Sequence, residues 1–288
     1  MYNILVTGSN GQLGKSIRDL SINYTYNFFF TTKEELDISL KDNIETFCKD
    51  NKITHIINCS AYTNVDEAED NIELAHRVNH IGVKNLANIS KIMNINLIHI
   101  STDYVFDGKN YKPYIESDIV NPIGVYGKSK LDGEKSLIDI NPKNSIIIRT
   151  SWVYSKYGNN FVKTILRLAK DRDNLNVIYD QIGTPTYAKD LASTILEILP
   201  KISNIDIEIY NFSNEGVVSW FDFAKEIVKM SKIKCEINPI ESKDYPTKVD
   251  RPYYSVLNKS KIKETFDIIS PYWKDGLDNC LKELGERK

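Results

Sequence analysis

The feature that most restricts this chain is the alternation, through its first 150 residues, of short β-rich runs with longer stretches of helical periodicity. The runs at 3–7, 27–31, 53–60, 95–101 and 144–150 read as strands. Between the first two, Leu13, Ile17 and Leu20 stand at i, i+4 and i+7, one face of a helix. A broader stripe, from Leu74 and Ala75 through Val78, Ile81, Val83, Leu86 and Ala87, predicts a helix over about 72–93. Strands separated by helices pair in parallel, and right-handed crossovers put those helices on both sheet faces. The expectation is an α/β fold, a Rossmann-like doubly wound parallel sheet.

Beyond Arg149 the pattern loosens. Helices are expected near 160–171, 188–199 and 219–231, and strands near 175–179, 207–213 and 234–238. Pro185, Pro200, Pro239, Pro246 and Pro252 punctuate this half. At 288 residues the chain is long enough for about two domains of ~150 residues. The division expected is one domain over 1–150 and a smaller one over 151–288, with the strand near 207–213 able to return to the first sheet.

Charge excludes several partners. Against 37 Lys+Arg stand 39 Asp+Glu, so no overall field draws the chain to nucleic acid or an anionic membrane, and any phosphate must be held locally. No apolar run approaches the ~18 residues of a membrane span. Met1-Tyr2-Asn3 runs straight into the first strand without an export signal, and a cytoplasmic location is expected. Cys48, Cys59, Cys235 and Cys280 are scattered and read as reduced thiols. His76 and His80 stand i,i+4, but no Glu follows His76 and no third ligand lies near in sequence, so no metal is assigned.

Gly8-Ser9-Asn10-Gly11-Gln12-Leu13-Gly14 follows the first strand and opens the first helix, giving G-x-x-G-x-x-G. Glycines let the backbone turn tightly against a pyrophosphate, while the helix N-terminus stabilises its charge. Residues 1–150 are therefore expected to bind NAD(P). After the second strand the chain reads Phe30-Thr31-Thr32-Lys33, without an acidic residue at the strand end to accept from a ribose 2′-hydroxyl. Lys33 and two hydroxyls favour NADPH, with NADH use left open. Asp37 and Ile38 are placed near the adenine, and Ala61, Tyr62 and Thr63 at the cofactor edge of the third strand.

Ser101-Thr102-Asp103 ends a strand, and Tyr126 and Lys130 stand i,i+4 at the start of a helix. On a helix these two share a face. The ammonium is expected to lower the phenol from its ordinary pKa of about 10, making Tyr126 a general acid, with Thr102 hydrogen-bonded to a substrate carbonyl.

These residues resemble one branch of the extended short-chain dehydrogenases/reductases, the dTDP-4-dehydrorhamnose reductases. The likeness runs through Val6–Gly14, Ser101–Gly108, Val125–Lys135, Arg149–Tyr154 and Asp180–Thr186. It implies NADPH-dependent reduction of a 4-keto nucleotide-sugar and makes 151–288 the nucleotide-sugar-binding domain. It also implies that Thr102, Asp103 and Trp152 face the sugar, and that Gly11, Gln12, Leu13, Asp37, Ile38, Ala61, Tyr62 and Thr63 face the cofactor. Arg251 is the candidate for the diphosphate. Some family members dimerise through a magnesium ion held in part by a Glu after the third glycine. Here Lys15-Ser16-Ile17 follows, so a monomer or weak homodimer is expected. Two alternatives stand beside this reading: another sugar-nucleotide reductase, epimerase or dehydratase of the same fold, and a non-catalytic subunit like that of methionine adenosyltransferase.

Overall fold

A computed structural model of the protein describes residues 1–287. Its strands are β1 (Asn3–Thr7), β2 (Asn27–Thr31), β3 (His55–Asn58), β4 (Asn96–Thr102), β5 (Ile146–Thr150), β6 (Val153–Tyr154), β7 (Asn174–Ile178), β8 (Ile182–Gly183), β9 (Thr186–Tyr187), β10 (Glu208–Asn211), β11 (Val218–Ser219) and β12 (Glu236–Ile240). Its α-helices are α1 (Gln12–Ser21), α2 (Lys41–Asp50), α3 (Val65–Ala68), α4 (Ile72–His76), α5 (Val83–Met93), α6 (Val125–Ile140), α7 (Phe161–Asp171), α8 (Ala188–Ile198), α9 (Trp220–Met230), α10 (Ser260–Phe266) and α11 (Trp273–Glu283). No described helix is long and apolar enough to cross a membrane.

Six strands form one sheet in the order β10-β5-β4-β3-β1-β2, every neighbouring pair parallel. The period-2 alternation of strand side chains sorts the core into two layers. Ile4, Val6, Ile57, Ile98, Ile146 and Ile148 face α1 and α8, meeting Leu13, Ile17, Leu191 and Ile195. Leu5, Ile56, Leu97 and Ile147 point the other way, onto Ile44 and Cys48 of α2, Val83, Leu86 and Ile89 of α5, and Leu137 of α6. Burial on both faces explains why these strands read as unbroken apolar runs. A third cluster lies outside the sheet, where α7 and α9 pack on the parallel pair β7–β12 and α11 packs against α9 and β9, through Leu166, Leu175, Val177, Phe223, Ile227, Ile237 and Leu277.

Most strand boundaries move by one or two residues from the sequence reading, and two differences have a clear physical cause. The run 53–60 yields only His55–Asn58, because the Ile53 amide bonds the Cys48 carbonyl at the end of α2 instead of entering the sheet. The helix read over 72–93 is interrupted by a π turn, Arg77–Gly82. Asn79, within that turn, is fully buried and takes both backbone groups of Tyr62: its Oδ1 accepts the Tyr62 N–H at 2.8 Å and its Nδ2 donates to the carbonyl at 3.0 Å. Such turns alter which side chains share a face.

Candidate active site

The sheet reverses its winding at β1, which lies between β2 and β3, and a cavity of about 530 Å³ opens at the C-terminal ends of the strands, where an open α/β sheet binds ligands. The glycine turn lines one side. Gly8 has φ +62, and a Cβ on Gly14 would lie 2.6 Å from Ser9 Cα, so α1 can start this close to β1 only with glycine there. Gly11 is the residue before α1. No side chain caps that helix, and its first turn carries no acid. Its free amides therefore face the cavity as an anion site, and this cradle suits a dinucleotide pyrophosphate.

Gln12 spans the cleft. Its Nε2 donates to the Val153 carbonyl at 3.3 Å, and its Oε1 accepts from Ser155 Oγ and Asn160 Nδ2 at 3.1 and 2.9 Å. The helix that starts at the glycine turn is thus tied to the segment after β5.

On the opposite wall, α6 brings Tyr126 and Lys130 to the ends of β4 and β5, where Thr102 and Thr150 lie side by side in register. Thr102 Oγ1 donates to Asp103 Oδ1 at 3.0 Å and accepts the Tyr104 N–H at 3.2 Å. Asp103 is buried, its second carboxylate oxygen has no partner among the described residues, and desolvation pushes its pKa up to about 6 despite the Thr102 hydrogen bond.

The expected electrostatic pairing of Tyr126 with Lys130 is not what the protein shows. Burial pushes the Tyr126 phenol up to about 12; hydrogen bonding from Thr102 opposes this and the Asp103 charge adds to it. Lys130 Nζ is instead held by the Ile100 carbonyl at 2.6 Å. Burial brings Lys130 down to about 8, with Glu134 opposing. The i,i+4 spacing puts both residues on one helix face but leaves the long side chain free to choose a nearer acceptor.

Trp152 lies at the far end of the cavity with φ +49, a left-handed conformation that is costly for an aromatic residue. Its ring stacks on Trp220 with centroids 3.4 Å apart and planes 9° from parallel. Two hydrogen bonds and a strand pairing hold the strained segment: Ser151 Oγ to the Thr184 carbonyl at 3.0 Å, the Thr186 N–H to the Trp152 carbonyl at 3.1 Å, and the β6–β9 pairing. Gly183 packs flat against the indole, where a Cβ would sit 2.6 Å from Cε2.

The cavity thus gathers Gly11, Gln12, Leu13, Gly14, Ala61, Thr63, Thr102, Asp103, Tyr126, Lys130 and Trp152. Other expected residues lie elsewhere. Gly8 supports the turn from below. Tyr62 is held by Asn79 and does not line the cavity. Asp37 accepts the Ser39 N–H at 2.9 Å in its own turn, and Ile38 is core, pressed towards Gly82. Lys33 is exposed, and the segment after β2 does hold acids: Glu35 accepts the Thr32 N–H at 2.8 Å, and hydrogen bonds from its own backbone and Thr32 hold Glu34 below the usual carboxylate range. Arg251 pairs with Asp66 at 2.6 Å and lines a second cleft of about 370 Å³ with Gln181, Ser242 and Tyr253. Arg149, within the run likened to a sugar-binding segment, is buried against Glu134.

Sequence reasoning missed Trp220, Phe161 and Asn160 in the cavity, and Arg18 beside the end of β2. The Arg18 guanidinium lies 4.3 Å over the Phe30 ring, its Nη2 is 3.5 Å from Ser9 Oγ, and it makes no ion pair among the described residues. Its position on α1 one turn after Gly14 was the available signal.

Residues 2–286 match the family model described as the RmlD substrate binding domain. A dTDP-4-dehydrorhamnose reductase of Aggregatibacter actinomycetemcomitans is 44% identical, over 97% of this chain and 98% of that protein. A crystal structure of a dTDP-4-dehydrorhamnose reductase from Clostridium acetobutylicum superposes with a TM-score of 0.94 at 38% identity, covering 98% of this chain and 99% of the other. The Bacillus anthracis enzyme of that name, solved in complex with NADP, gives a TM-score of 0.94 at 36% identity over 98% and 100%.

Proposed function

The chain belongs to the family of the RmlD substrate binding domain, and on that premise we propose that it is an NADPH-dependent dTDP-4-dehydrorhamnose reductase. It reduces the 4-keto group of dTDP-4-dehydro-β-L-rhamnose to give dTDP-β-L-rhamnose, the last step in making this sugar donor for cell-surface polysaccharide. The observation that carries the reading is a single cavity holding the glycine turn, the Thr102–Tyr126 pair and the Trp152–Trp220 stack.

When bound, the reduced dinucleotide supplies a hydride to the carbonyl carbon. Gly11, Leu13, Gly14 and the open start of α1 hold its pyrophosphate. Arg18 would provide the positive charge for a ribose 2′-phosphate, a guanidinium being suited to bidentate phosphate contact, with the exposed Lys33 after β2 as the second candidate. The proton comes from Tyr126. With its pKa near 12 the phenol is fully protonated at neutral pH, and it remains a far stronger acid than an alcohol, whose pKa lies near the ~15.7 of water. Transfer to the developing alkoxide is therefore downhill. One hydride and one proton convert C=O to CH–OH, leaving a phenolate that accepts a hydrogen bond from Thr102, while Lys130 stays on the Ile100 carbonyl behind it. Thr102 contributes a hydroxyl at the same oxygen, where negative charge grows in the transition state. Trp152 presents its indole to the sugar ring, and Arg251 in the neighbouring cleft is the candidate for the diphosphate once released from Asp66.

A dehydratase needs a carboxylate base after Thr102-Asp103. Tyr104 stands there, and burial raises its phenol further. Four free cysteines suit a reducing cytoplasm, and Lys15 after the third glycine favours a monomer or weak homodimer over a magnesium-linked one. Incubation of the purified protein with the 4-keto substrate and NADPH, followed by product analysis, tests the assignment. Reduced sugar with matching cofactor oxidation is expected. Recovery of unreduced sugar, under conditions where a known reductase works, overturns it and leaves another sugar-nucleotide enzyme of the same fold or the non-catalytic subunit.

A further inference from the structure

His76 closes α4, and His80 follows four residues later inside the π turn. Their rings meet edge to face with centroids 4.4 Å apart, and His80 Nδ1 lies 2.6 Å from His76 Nε2. The third ligand that the local sequence lacks comes from another helix. A ring nitrogen of each histidine and a carboxylate oxygen of Asp132, in α6, all lie within 4.8 Å of one another. The other nitrogen of His80, Nε2, is 2.9 Å from Ser136 Oγ, one turn further along α6. None of the three side chains lines either cavity described above.

Two imidazoles and one carboxylate form the donor set of a borderline divalent transition ion; magnesium and calcium prefer oxygen alone. Ser136 Oγ is able to accept from His80 Nε2–H, and in that tautomer the Nδ1 lone pair faces the cluster, the role that an outer hydrogen-bond partner plays in metal sites. The 2.6 Å contact between the two rings needs only a small opening to admit an ion at ordinary ligand distances. Two cations border the cluster: Lys135, 4.0 Å from Asp132 Oδ1, and Lys84, whose charge reaches His80. They moderate the affinity without occupying the site.

The geometry points to a three-ligand zinc-class site at His76, His80 and Asp132, with its remaining position open to water. It stands independently of the proposed reductase activity. The ion would link the π turn, which carries the Asn79 clamp on Tyr62, to α6, which carries Tyr126 and Lys130. Its effect is to stiffen the wall of the active site from behind.

The test is a zinc titration of tag-free, chelator-treated full-length protein by calorimetry, with thermal unfolding in parallel. One zinc per chain with a micromolar dissociation constant is expected. The unfolding midpoint should rise by roughly 5 °C at saturating zinc, because the ion binds only the folded state. His76→Gln, His80→Gln and Asp132→Asn should each weaken zinc at least about tenfold. Their metal-free unfolding midpoints, compared with the parent, separate ligand loss from misfolding, and His76→Gln, at an exposed position, keeps the test decisive if His80→Gln is unstable. Magnesium chloride should leave the midpoint unchanged. Absence of one-to-one binding up to about 1 mM zinc, any well-folded variant that binds zinc as tightly as the parent, or an equal response to magnesium overturns the site.

Discussion

At the scale of single residues, Tyr126 and Arg18 carry the clearest expectations. A phenol with its pKa near 12 acts by donating its proton, so Tyr126→Phe should bind NADP+ as the parent does while kcat falls by about 10²–10⁴, the usual value of a positioned acid. Single-turnover kinetics would settle this, and a near-normal rate removes Tyr126 from the chemistry. Arg18 and Lys33 compete for the 2′-phosphate role. Arg18 is pre-oriented on Phe30 and Ser9, whereas Lys33 is free in solvent, where an ion contact contributes only ~0.2–1 kcal/mol. Arg18→Ala should weaken NADP+ by about tenfold while sparing NAD+, and Lys33→Ala should change either by less than about threefold. Fluorescence titration with both dinucleotides decides between them. The sequence pointed to Lys33 because it follows β2 directly; that a residue from α1 reaches the same strand end is visible only when α1 is packed on the sheet.

At the scale of elements, α6 and the segment around Trp152 hold the site. Glu134 of α6 and Arg149 of β5 form a buried bidentate pair, Nε to Oε1 at 3.0 Å and Nη2 to Oε2 at 2.6 Å. Removing one charge leaves the other stranded, at a cost of about 3–5 kcal/mol. Glu134→Gln should therefore lower the unfolding midpoint by roughly 10 °C; an unchanged calorimetric midpoint would show the pair to be dispensable. Gly183, ending β8, tests the indole wall. Gly183→Ala needs about 1–3 kcal/mol of rearrangement and must displace Trp152. The KM for the nucleotide-sugar should rise several-fold with NADP+ affinity unchanged, and steady-state kinetics in which both move together would argue for a wider disturbance. Helical patterning made α1, α7, α8 and α9 legible. It could not reveal the π turn, because the stripe through 72–93 keeps its apolar spacing on both sides of Asn79 and only the buried Tyr62 clamp interrupts it.

At the scale of the whole molecule, burying Asp103 at the cavity wall couples global stability to pH. Its pKa rises from an ordinary 3.8 to about 6 in the folded protein, so the native state keeps a proton that the unfolded chain releases between those values. Stability from this group is present below pH ~4 and lost as pH rises through ~6, on the order of 2–3 kcal/mol in all. Asp103→Asn should flatten the pH profile of urea unfolding across that window and stabilise the protein at pH 7; a profile parallel to that of the parent would rule this out. The sequence by itself determined the parallel sheet, through strand-helix alternation and apolar runs buried on two faces, and it determined the cofactor turn and the Tyr126–Lys130 face, because those rest on contacts among near neighbours in the chain. Only the tertiary structure decided where Lys130 points, that Arg251 meets Asp66, that Trp152 stacks on Trp220, and that Asp132 joins His76 and His80. Each of those pairings closes a gap of tens of residues, and local spacing carries no record of which distant side chain arrives first within hydrogen-bonding or van der Waals reach.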